Sequence, residues 1–286
     1  MFVSSNSLKD SLAYFKRKLK SNYDEAEIEN IFFLVCFEVF QTTKVQVLAD
    51  SVRLSESDLL QIKSIVDRLV KNEPIQYIIG HTYFYDCKIN VNQTVLIPRP
   101  ETEELVDIII KSNNGIDSLS ILDIGTGSGC IPIALKKKLK SANITTIDIS
   151  KDAIALAKEN AIQNQVEINF YDIDVFSADI NSFDKVDIIV SNPPYIPSAD
   201  KKEMHKNVLD HEPSTALFVE DTTPLVFYER IIKLSKSKLK PGGQLYFEFH
   251  KDFGKEINQL LVDANFQEIE IIKDMQGFDR FSKAIK

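Results

Sequence analysis

The sequence contains no tryptophan and few cysteines and histidines. Its three cysteines, Cys36, Cys87 and Cys130, are an odd number and form no Cys-x-x-Cys or Cys/His cluster. This pattern argues against both a disulfide framework and a zinc site. The four histidines are scattered, and we expect structural roles for them: His81, His205, His211 and His250. We therefore predict that the protein has no metal centre.

Long apolar runs are also missing. The most apolar stretch, residues 31–40, is too short to span a bilayer and contains Glu38. The first 20 residues lack the continuous apolar segment that is typical of a signal peptide. The sequence thus predicts no membrane partner and a cytoplasmic location.

An excess of positive charge is absent as well. The chain has 34 Lys and Arg against 42 Asp and Glu, a net charge of −8 and a pI of about 5.2. Such a chain lacks the general positive field with which proteins hold nucleic acid by its phosphates. Two basic stretches, 136–140 and 233–241, are typical of solvated helix faces near helix C-termini. We expect no direct nucleic-acid partner.

Three segments of different character follow one another along the 286 residues, 44% of which are hydrophobic. Residues 1–73 have apolar residues at helical spacing, which predicts a small helical bundle, with Ser57 as a candidate cap of its last helix. Residues 74–97 are rich in aromatic and β-branched residues of alternating polarity and predict a β-hairpin linker. Residues 98–286 form the third segment and begin with a predicted helix at 98–112.

The third segment alternates strand and helix patterns. This alternation predicts an α/β fold with a mostly parallel, doubly wound, seven-stranded sheet. The seven predicted strands are 120–125, 143–150, 167–174, 185–192, 243–250, 268–274 and 280–286. No helix separates the last two, so they are expected to run antiparallel. Ligands of such sheets bind beyond the carboxyl ends of the strands, at the point where the strand order reverses.

A glycine-rich turn follows the first predicted strand. Gly125, Gly127 and Gly129 allow the backbone to approach a ligand closely, and their G-x-G-x-G spacing differs from the G-x-G-x-x-G of dinucleotide sites. Asp148 ends the second strand about 20 residues later, where a carboxylate accepts hydrogen bonds from ribose hydroxyls. The combination suits an adenosyl ligand without pyrophosphate, S-adenosylmethionine. The alternative is a tight strand-to-helix turn with a capping aspartate.

The end of the third predicted strand is a candidate adenine site. Asp174 is placed to accept the exocyclic amine of adenine, and either Val175 or Phe176 is placed to cover a face of the ring. Without the fold argument, Phe176 is an ordinary core residue.

The fourth strand ends in Ser-Asn-Pro-Pro-Tyr-Ile-Pro, residues 191–197, and the two adjacent prolines cannot extend that strand because proline lacks an N–H group. Asn192 offers a side-chain carbonyl and Pro193 a backbone carbonyl of restricted direction, so two acceptors are available for one planar NH₂ group. Tyr195 can pack against that group. Two acceptors orient a poorly nucleophilic nitrogen and stabilise the positive charge that develops as it attacks a methyl group. The alternative is a proline-rich loop without catalytic function.

The chain resembles the release factor glutamine methyltransferases, the PrmC/HemK family. The resemblance rests on the segment 76–106, which contains Pro-Arg-Pro-Glu-Thr-Glu, on the two motifs above and on His-Glu-Pro-Ser-Thr-Ala-Leu-Phe at 211–218. It implies a helical N-terminal substrate-recognition domain and a Rossmann-like class I S-adenosylmethionine-dependent methyltransferase domain. It also implies methylation of the side-chain amide nitrogen of the glutamine in the Gly-Gly-Gln motif of bacterial peptide chain release factors, which modulates translation termination.

The same resemblance assigns the site residues. The implied substrate contacts are Asn192, Pro193, Pro194 and Tyr195, of which Asn192, Pro193 and Tyr195 are catalytic. The implied cofactor contacts are Gly125, Thr126, Gly127, Ser128, Gly129, Asp148, Asp174, Val175 and Asn192. Relatives often carry tryptophan at the position of Val175, and valine gives less stacking area over adenine. Glu212 and Pro213 are candidates for the wall of the glutamine pocket.

Two rival functions use the same motifs. The Asn-Pro-Pro-Tyr chemistry serves any planar NH₂ group, so an adenine-N6 or guanine-N2 methyltransferase acting on nucleic acid is the main enzymatic alternative. A cofactor-dependent binding module without activity is the second. The negative net charge argues against the nucleic-acid methyltransferase. The presence of both candidate half-sites, the glycine-rich cofactor turn and the Asn-Pro-Pro-Tyr acceptor turn, argues against a binding module without activity.

Overall fold

A computed structural model describes residues 3, 5–177 and 182–286. The chain divides into two compact units, of which the first comprises the residues up to Gly80 together with His205–His211. The second comprises His81–Met204 and Glu212–Lys286.

The helices and strands of the described residues are numbered in chain order. The helices are α1 Leu8–Leu19, α2 Glu25–Phe40, α3 Lys44–Leu48, α4 Glu56–Leu69, α5 Ile75–Ile79, α6 Pro100–Ser112, α7 Cys130–Lys138, α8 Lys151–Gln163, α9 Lys206–His211, α10 Ser214–Leu217, α11 Val226–Lys238 and α12 Gly254–Asp263. The strands are β1 His81–Phe84, β2 Cys87–Asn90, β3 Ser120–Ile124, β4 Asn143–Asp148, β5 Asn169–Asp172, β6 Val186–Ser191, β7 Ile196–Pro197, β8 Phe218–Val219, β9 Leu239–Glu248, β10 Gln267–Lys273 and β11 Asp279–Ile285.

The first unit is a helical bundle whose core includes an edge-to-face pair, Phe15 and Phe32, with ring centroids 5.1 Å apart. The prediction that Ser57 caps α4 is wrong. Ser55 is the cap, because its hydroxyl accepts from the Asp58 N–H at 3.1 Å while its own N–H donates to Asp58 Oδ2 at 2.8 Å. This reciprocal pair satisfies two N–H groups at the helix start.

The second unit contains the seven-stranded sheet, with the order β10-β11-β9-β6-β3-β4-β5. The pairs β9–β6, β6–β3, β3–β4 and β4–β5 are parallel, whereas β11 is antiparallel to both of its neighbours. One face packs on α11 and α12 around Tyr228, Phe247 and Leu261, all fully buried. The predicted class I α/β fold and the antiparallel final pair are confirmed.

Two strand predictions need correction. The β-hairpin predicted across 74–97 is confined to the paired strands β1 and β2. The start of that segment is the helix α5, which ends at Gly80 with a φ of 89°. The strand predicted at 243–250 begins earlier, at Leu239, and ends at Glu248. Between the pairs Val186–Leu239 and Ile188–Gln244 the register shifts, so Pro241–Gly243 lies in an irregularity within β9.

A carboxyl group is buried in the middle of the sheet. Asp123 on β3 is 0% exposed, and its Oδ2 atom accepts a hydrogen bond from Thr146 Oγ1 on β4 at 2.6 Å. Burial raises the pKa of Asp123 from 3.8 to about 7, against the opposing effect of the Thr146 and Thr126 hydroxyls. The proton is therefore bound more tightly in the folded than in the unfolded chain.

This difference predicts that stability falls as the pH rises from about 4 to about 7. Below that window both states hold the proton, and above it neither does. Asp123→Asn should flatten the decline by on the order of 2–4 kcal/mol, because each pKa unit corresponds to about 1.4 kcal/mol. The measurement is urea unfolding at pH 5 and pH 8, with the exposed Asp152→Asn as the matched control. An Asp123→Asn protein with the wild-type pH slope would contradict the assignment.

Candidate active site

Four adjacent parallel strands end at the same level of the sheet. Ile124 is the register partner of both Ile147 and Ser191, and Ser191 is the partner of Phe247. The residues at the carboxyl edge of β4, β3, β6 and β9 therefore lie side by side: Asp148, Gly125, Asn192 and Glu248. The strand order reverses between β3 and β6, which is where doubly wound sheets bind their ligands.

The glycine loop between β3 and α7 has open space beside its first two glycines. Gly125 and Gly127 have φ angles of 80° and 52°, and a Cβ atom built on either would meet nothing within 4 Å. Gly129 differs, because a Cβ atom there would lie 3.0 Å from Ala157 Cβ and 3.2 Å from Ile133 Cδ1. The first two glycines thus leave room for a ligand, whereas the third allows α7 and α8 to pack closely.

Asp148 joins the end of β4 to the glycine loop. Its Oδ2 atom accepts from the Gly127 N–H at 2.9 Å, and Oδ1 accepts from the Ser150 N–H at 2.9 Å. Burial raises the pKa of Asp148, and these backbone N–H groups oppose the rise. An ionised carboxylate has about four acceptor positions, so each oxygen can take a further donor. The bracing of a tight turn and the binding of a ribose are therefore compatible roles for this residue.

The three residues predicted to contact adenine follow the end of β5 and lie in different environments. Asp174 Oδ1 accepts from the Phe176 N–H at 2.9 Å. Val175 is 8% exposed and belongs to the hydrophobic core, whereas the Phe176 ring is 45% exposed and lies edge-on to Phe227 with centroids 5.4 Å apart. All three remain predicted contacts, and of the two apolar side chains Phe176 presents the larger exposed surface.

Asn192 is held by its side-chain nitrogen. Asn192 Nδ2 donates to Thr102 Oγ1 at 3.2 Å, and Thr102 Oγ1 donates to Glu248 Oε2 at 2.8 Å. The Oδ1 atom of Asn192 accepts no hydrogen bond from the described part of the chain. The carbonyl acceptor that the sequence predicted at this position is therefore available to an incoming NH₂ group.

Tyr195 lies over the same carboxyl group. Its hydroxyl donates to Glu248 Oε1 at 3.2 Å, and its ring is tilted against the His250 ring with centroids 6.2 Å apart. Burial and the nearby Glu248 raise the pKa of Tyr195, so the phenol stays protonated. Pro193 is buried and Pro194 half-buried, which gives the turn a rigid base.

Glu248 and Thr102 are the site residues that the sequence reasoning missed. Glu248 is 1% exposed, and burial raises its pKa to about 7 while Thr102, Tyr195 and Arg280 oppose the rise. A single carboxyl group within the apolar run 245–249 was the available signal. Thr102 lies in the Pro-Arg-Pro-Glu-Thr-Glu segment, and only the fold brings it to β6.

Glu212 has a defined anchoring contact. Its carboxyl side chain is 1% exposed, with Oε1 accepting from Arg99 Nη2 at 2.6 Å and Oε2 accepting from the Ile97 N–H at 3.1 Å. This pair ties the start of α10 to the segment that precedes α6. The contribution of Glu212 and Pro213 to a glutamine pocket remains a prediction.

The residues at the carboxyl edge fit S-adenosylmethionine. Gly125 and Gly127 border open space, Asp148 presents part-buried carboxylate oxygens at the next strand end, and Asn192 presents a carbonyl on the other side. Within residues 3, 5–177 and 182–286, no group of three or more His, Cys, Asp and Glu side chains is arranged to hold a metal ion. No helix in this part of the chain is long and apolar enough to cross a membrane.

Two family models match the chain. The methyltransferase small domain matches residues 102–215, which contain the glycine loop and the Asn192 turn. The PrmC N-terminal domain matches residues 10–80. A solved methyltransferase from Pyrococcus furiosus shares the fold, with a TM-score of 0.52 and 14% identity over 81% of this chain and 98% of that chain.

Curated relatives match nearly end to end. A release factor glutamine methyltransferase from Flavobacterium psychrophilum is 45% identical, over 96% of this chain and 98% of its own. Another from Bacteroides thetaiotaomicron is 42% identical over 95% and 98% of the two chains. The resemblance noted from the sequence motifs is confirmed, and the protein belongs to the release factor glutamine methyltransferase family.

Proposed function

We propose that the protein methylates the side-chain amide nitrogen (N5) of the glutamine in the Gly-Gly-Gln motif of peptide chain release factors. S-adenosyl-L-methionine is the methyl donor, and the reaction modulates translation termination in the cytoplasm. The observation that carries the proposal is the Asn192 carboxamide, which is fixed through Nδ2 by Thr102 and leaves Oδ1 to accept a planar NH₂ group. Family membership supports the choice of a glutamine amide among such groups.

The cofactor is held by the carboxyl edge. Gly125–Gly129, including Thr126 and Ser128, line it with backbone, and Asp148 accepts the ribose hydroxyls. Asp174, Val175 and Phe176 would contact its adenine. When bound, S-adenosylmethionine supplies an electrophilic methyl group. The enzyme's own residues position the acceptor nitrogen.

The Asn192–Tyr195 turn prepares the acceptor. An amide nitrogen is a weak nucleophile because its lone pair is delocalised. Asn192 Oδ1 and the Pro193 carbonyl each accept one N–H of the glutamine, and this holds the nitrogen in line and stabilises its developing positive charge. Tyr195 and Pro194 pack against the planar amide. No general base is needed before transfer, because the N–H becomes strongly acidic only once the new N–C bond forms.

Recognition of the release factor is assigned to the helical unit. We propose that residues 1–73 engage the protein substrate, that residues 74–97 link them to the catalytic domain and that residues 98–286 carry the chemistry. The match of residues 10–80 to a domain model specific to this family supports that division.

The activity is tested with purified release factors and methyl-labelled S-adenosylmethionine. Mass spectrometry of the digested factors should place the label on the Gly-Gly-Gln glutamine. A release factor whose motif reads Gly-Gly-Ala is the matched control and should stay unlabelled. Label that appears only on added DNA or RNA, as adenine-N6 or guanine-N2 methylation, would replace this proposal with the nucleic-acid alternative.

Asn192→Ala should reduce kcat by about 10²- to 10³-fold, the cost of removing one acceptor that stabilises transition-state charge. The Kd for S-adenosylmethionine should change far less, because the main cofactor contacts lie on β3 and β4. Steady-state kinetics and isothermal titration measure the two quantities, with urea unfolding as the check on folding. Loss of cofactor binding in a folded Asn192→Ala protein would show that this division of roles is wrong.

Asp148→Ala should weaken the binding of S-adenosylmethionine. The ribose loses its acceptor, and the Gly127 and Ser150 N–H groups lose theirs, at about 1–3 kcal/mol or 5- to 150-fold in Kd. The exposed Asp152→Ala, four positions along, controls for loss of a nearby negative charge. Equal cofactor Kd values for the Asp148→Ala and wild-type proteins would rule out the ribose role.

A further inference from the structure

Three linked hydrogen bonds, one buried and two part-buried, connect Asn192, Thr102, Glu248 and Tyr195 at the candidate active site. Thr102 and Glu248 are 3% and 1% exposed, and they are linked at 2.8 Å between Thr102 Oγ1 and Glu248 Oε2. Thr102 accepts from Asn192 Nδ2 at 3.2 Å, and Tyr195 donates to the second carboxylate oxygen at 3.2 Å. These hydrogen bonds join α6, β9 and the turn after β6, three segments that are far apart in sequence.

The direction of each bond in this chain follows from the first. An ionised carboxylate can only accept hydrogen bonds, so the single hydroxyl proton of Thr102 must point at Glu248. The Thr102 oxygen is then left with lone pairs alone on the side of Asn192. Only the NH₂ end of the Asn192 amide can meet a lone pair, so Nδ2 turns toward Thr102 and Oδ1 turns away.

We infer that Thr102 and Glu248 are positioning residues, which fix the Asn192 carboxamide with its oxygen facing the substrate amide. The inference rests on the proposed function for the identity of that substrate. The two ends of the Asn192 amide are nearly equal in size, so without these hydrogen bonds either end could face the substrate. A flipped amide would present a donor to a substrate NH₂ group, which repels it.

Protonation of Glu248 reverses the polarity. A protonated carboxyl group can donate to Thr102, whose hydroxyl is then free to donate to Asn192 Oδ1 and occupy the acceptor. Burial places the pKa of Glu248 at about 7, so the carboxylate form grows as the pH rises through that value. Five titratable groups on the surrounding elements interact electrostatically with Glu248. They are Glu101 on α6, Cys130 on α7, Tyr195 in the turn after β6, Tyr228 on α11 and Arg280 on β11. Tyr195 and Tyr228 stay neutral since their pKa values are raised, and Arg280 stays charged.

The kinetic test compares three variants with the wild type. Thr102→Val removes the hydroxyl and should lower kcat by about 10- to 100-fold, with little change in KM or in the cofactor Kd. Thr102→Ser keeps the hydroxyl and should restore most of the turnover. Glu248→Gln should lower kcat, and it should abolish the rise in kcat between pH 6 and pH 8 that the wild type is expected to show.

A second readout does not depend on activity. The side-chain NH₂ signals of Asn192 in ¹⁵N-labelled protein, identified by their loss in Asn192→Ala, should shift with pH in the wild type. Their midpoint should equal that of the Glu248 carboxyl carbon, identified in ¹³C spectra by its loss in Glu248→Gln. The coupled shift should persist in Thr102→Ser and vanish in Thr102→Val.

The outcomes separate this inference from the proposed function. If the wild type methylates no release factor, the proposed function fails, and the Asn192 signals still decide the hydrogen-bond chain. If the wild type is active but Thr102→Val matches it in kcat and keeps the coupled shift, the inference is overturned. Should Thr102→Val fail to fold, the wild-type and Glu248→Gln titrations decide: an Asn192 signal that does not follow Glu248 refutes the chain.

Discussion

The parallel pairing of β4, β3, β6 and β9 is the constraint on which the site depends. Ile124 is level with Ile147 and Ser191, and Ser191 is level with Phe247, so four strand ends share one edge. Ser191 Oγ donates to the Ile124 carbonyl at 2.7 Å and adds a lateral tie there. Because successive side chains of a strand point to opposite faces, a slip of one residue would turn every side chain of that strand to the other face. The glycine loop and the Asn192 turn are brought together by this register.

Asp123 and Glu248 are buried carboxyl groups of this sheet, and each accepts a hydrogen bond from a threonine hydroxyl. Asp123 accepts from Thr146, and Glu248 accepts from Thr102. Burying a carboxyl group costs free energy that these hydrogen bonds do not fully offset, even at Glu248, which also accepts from Tyr195, and both pKa values rise to about 7. An apolar side chain at either position would be easier to bury. At Glu248, however, the buried carboxylate directs the Thr102 hydroxyl and, through it, the Asn192 amide, which an apolar side chain cannot do.

Local patterns accounted for most of the fold and for the parts of the site that are contiguous in sequence. The alternation of strand and helix predicted the seven-stranded sheet, and the glycine spacing and the Asn-Pro-Pro-Tyr turn located both candidate half-sites. The errors were also local: Ser57 was preferred to Ser55 because both fit a capping position, and the hairpin was drawn too long because α5 is rich in β-branched residues. Thr102 and Glu248, 146 positions apart, left no local signal of their contact.

What the sequence by itself determined is the set of groups: three glycines after a strand, a carboxylate ending the next strand, and an amide followed by two prolines and a tyrosine. Each follows from short-range chemistry, since proline ends strands and glycine permits positive φ angles. Only the tertiary structure decided how those groups are oriented. The direction of the Asn192 amide depends on a buried carboxyl group from another strand and a hydroxyl from a distant helix, and such polarity is set by partners that the fold alone brings within hydrogen-bond distance.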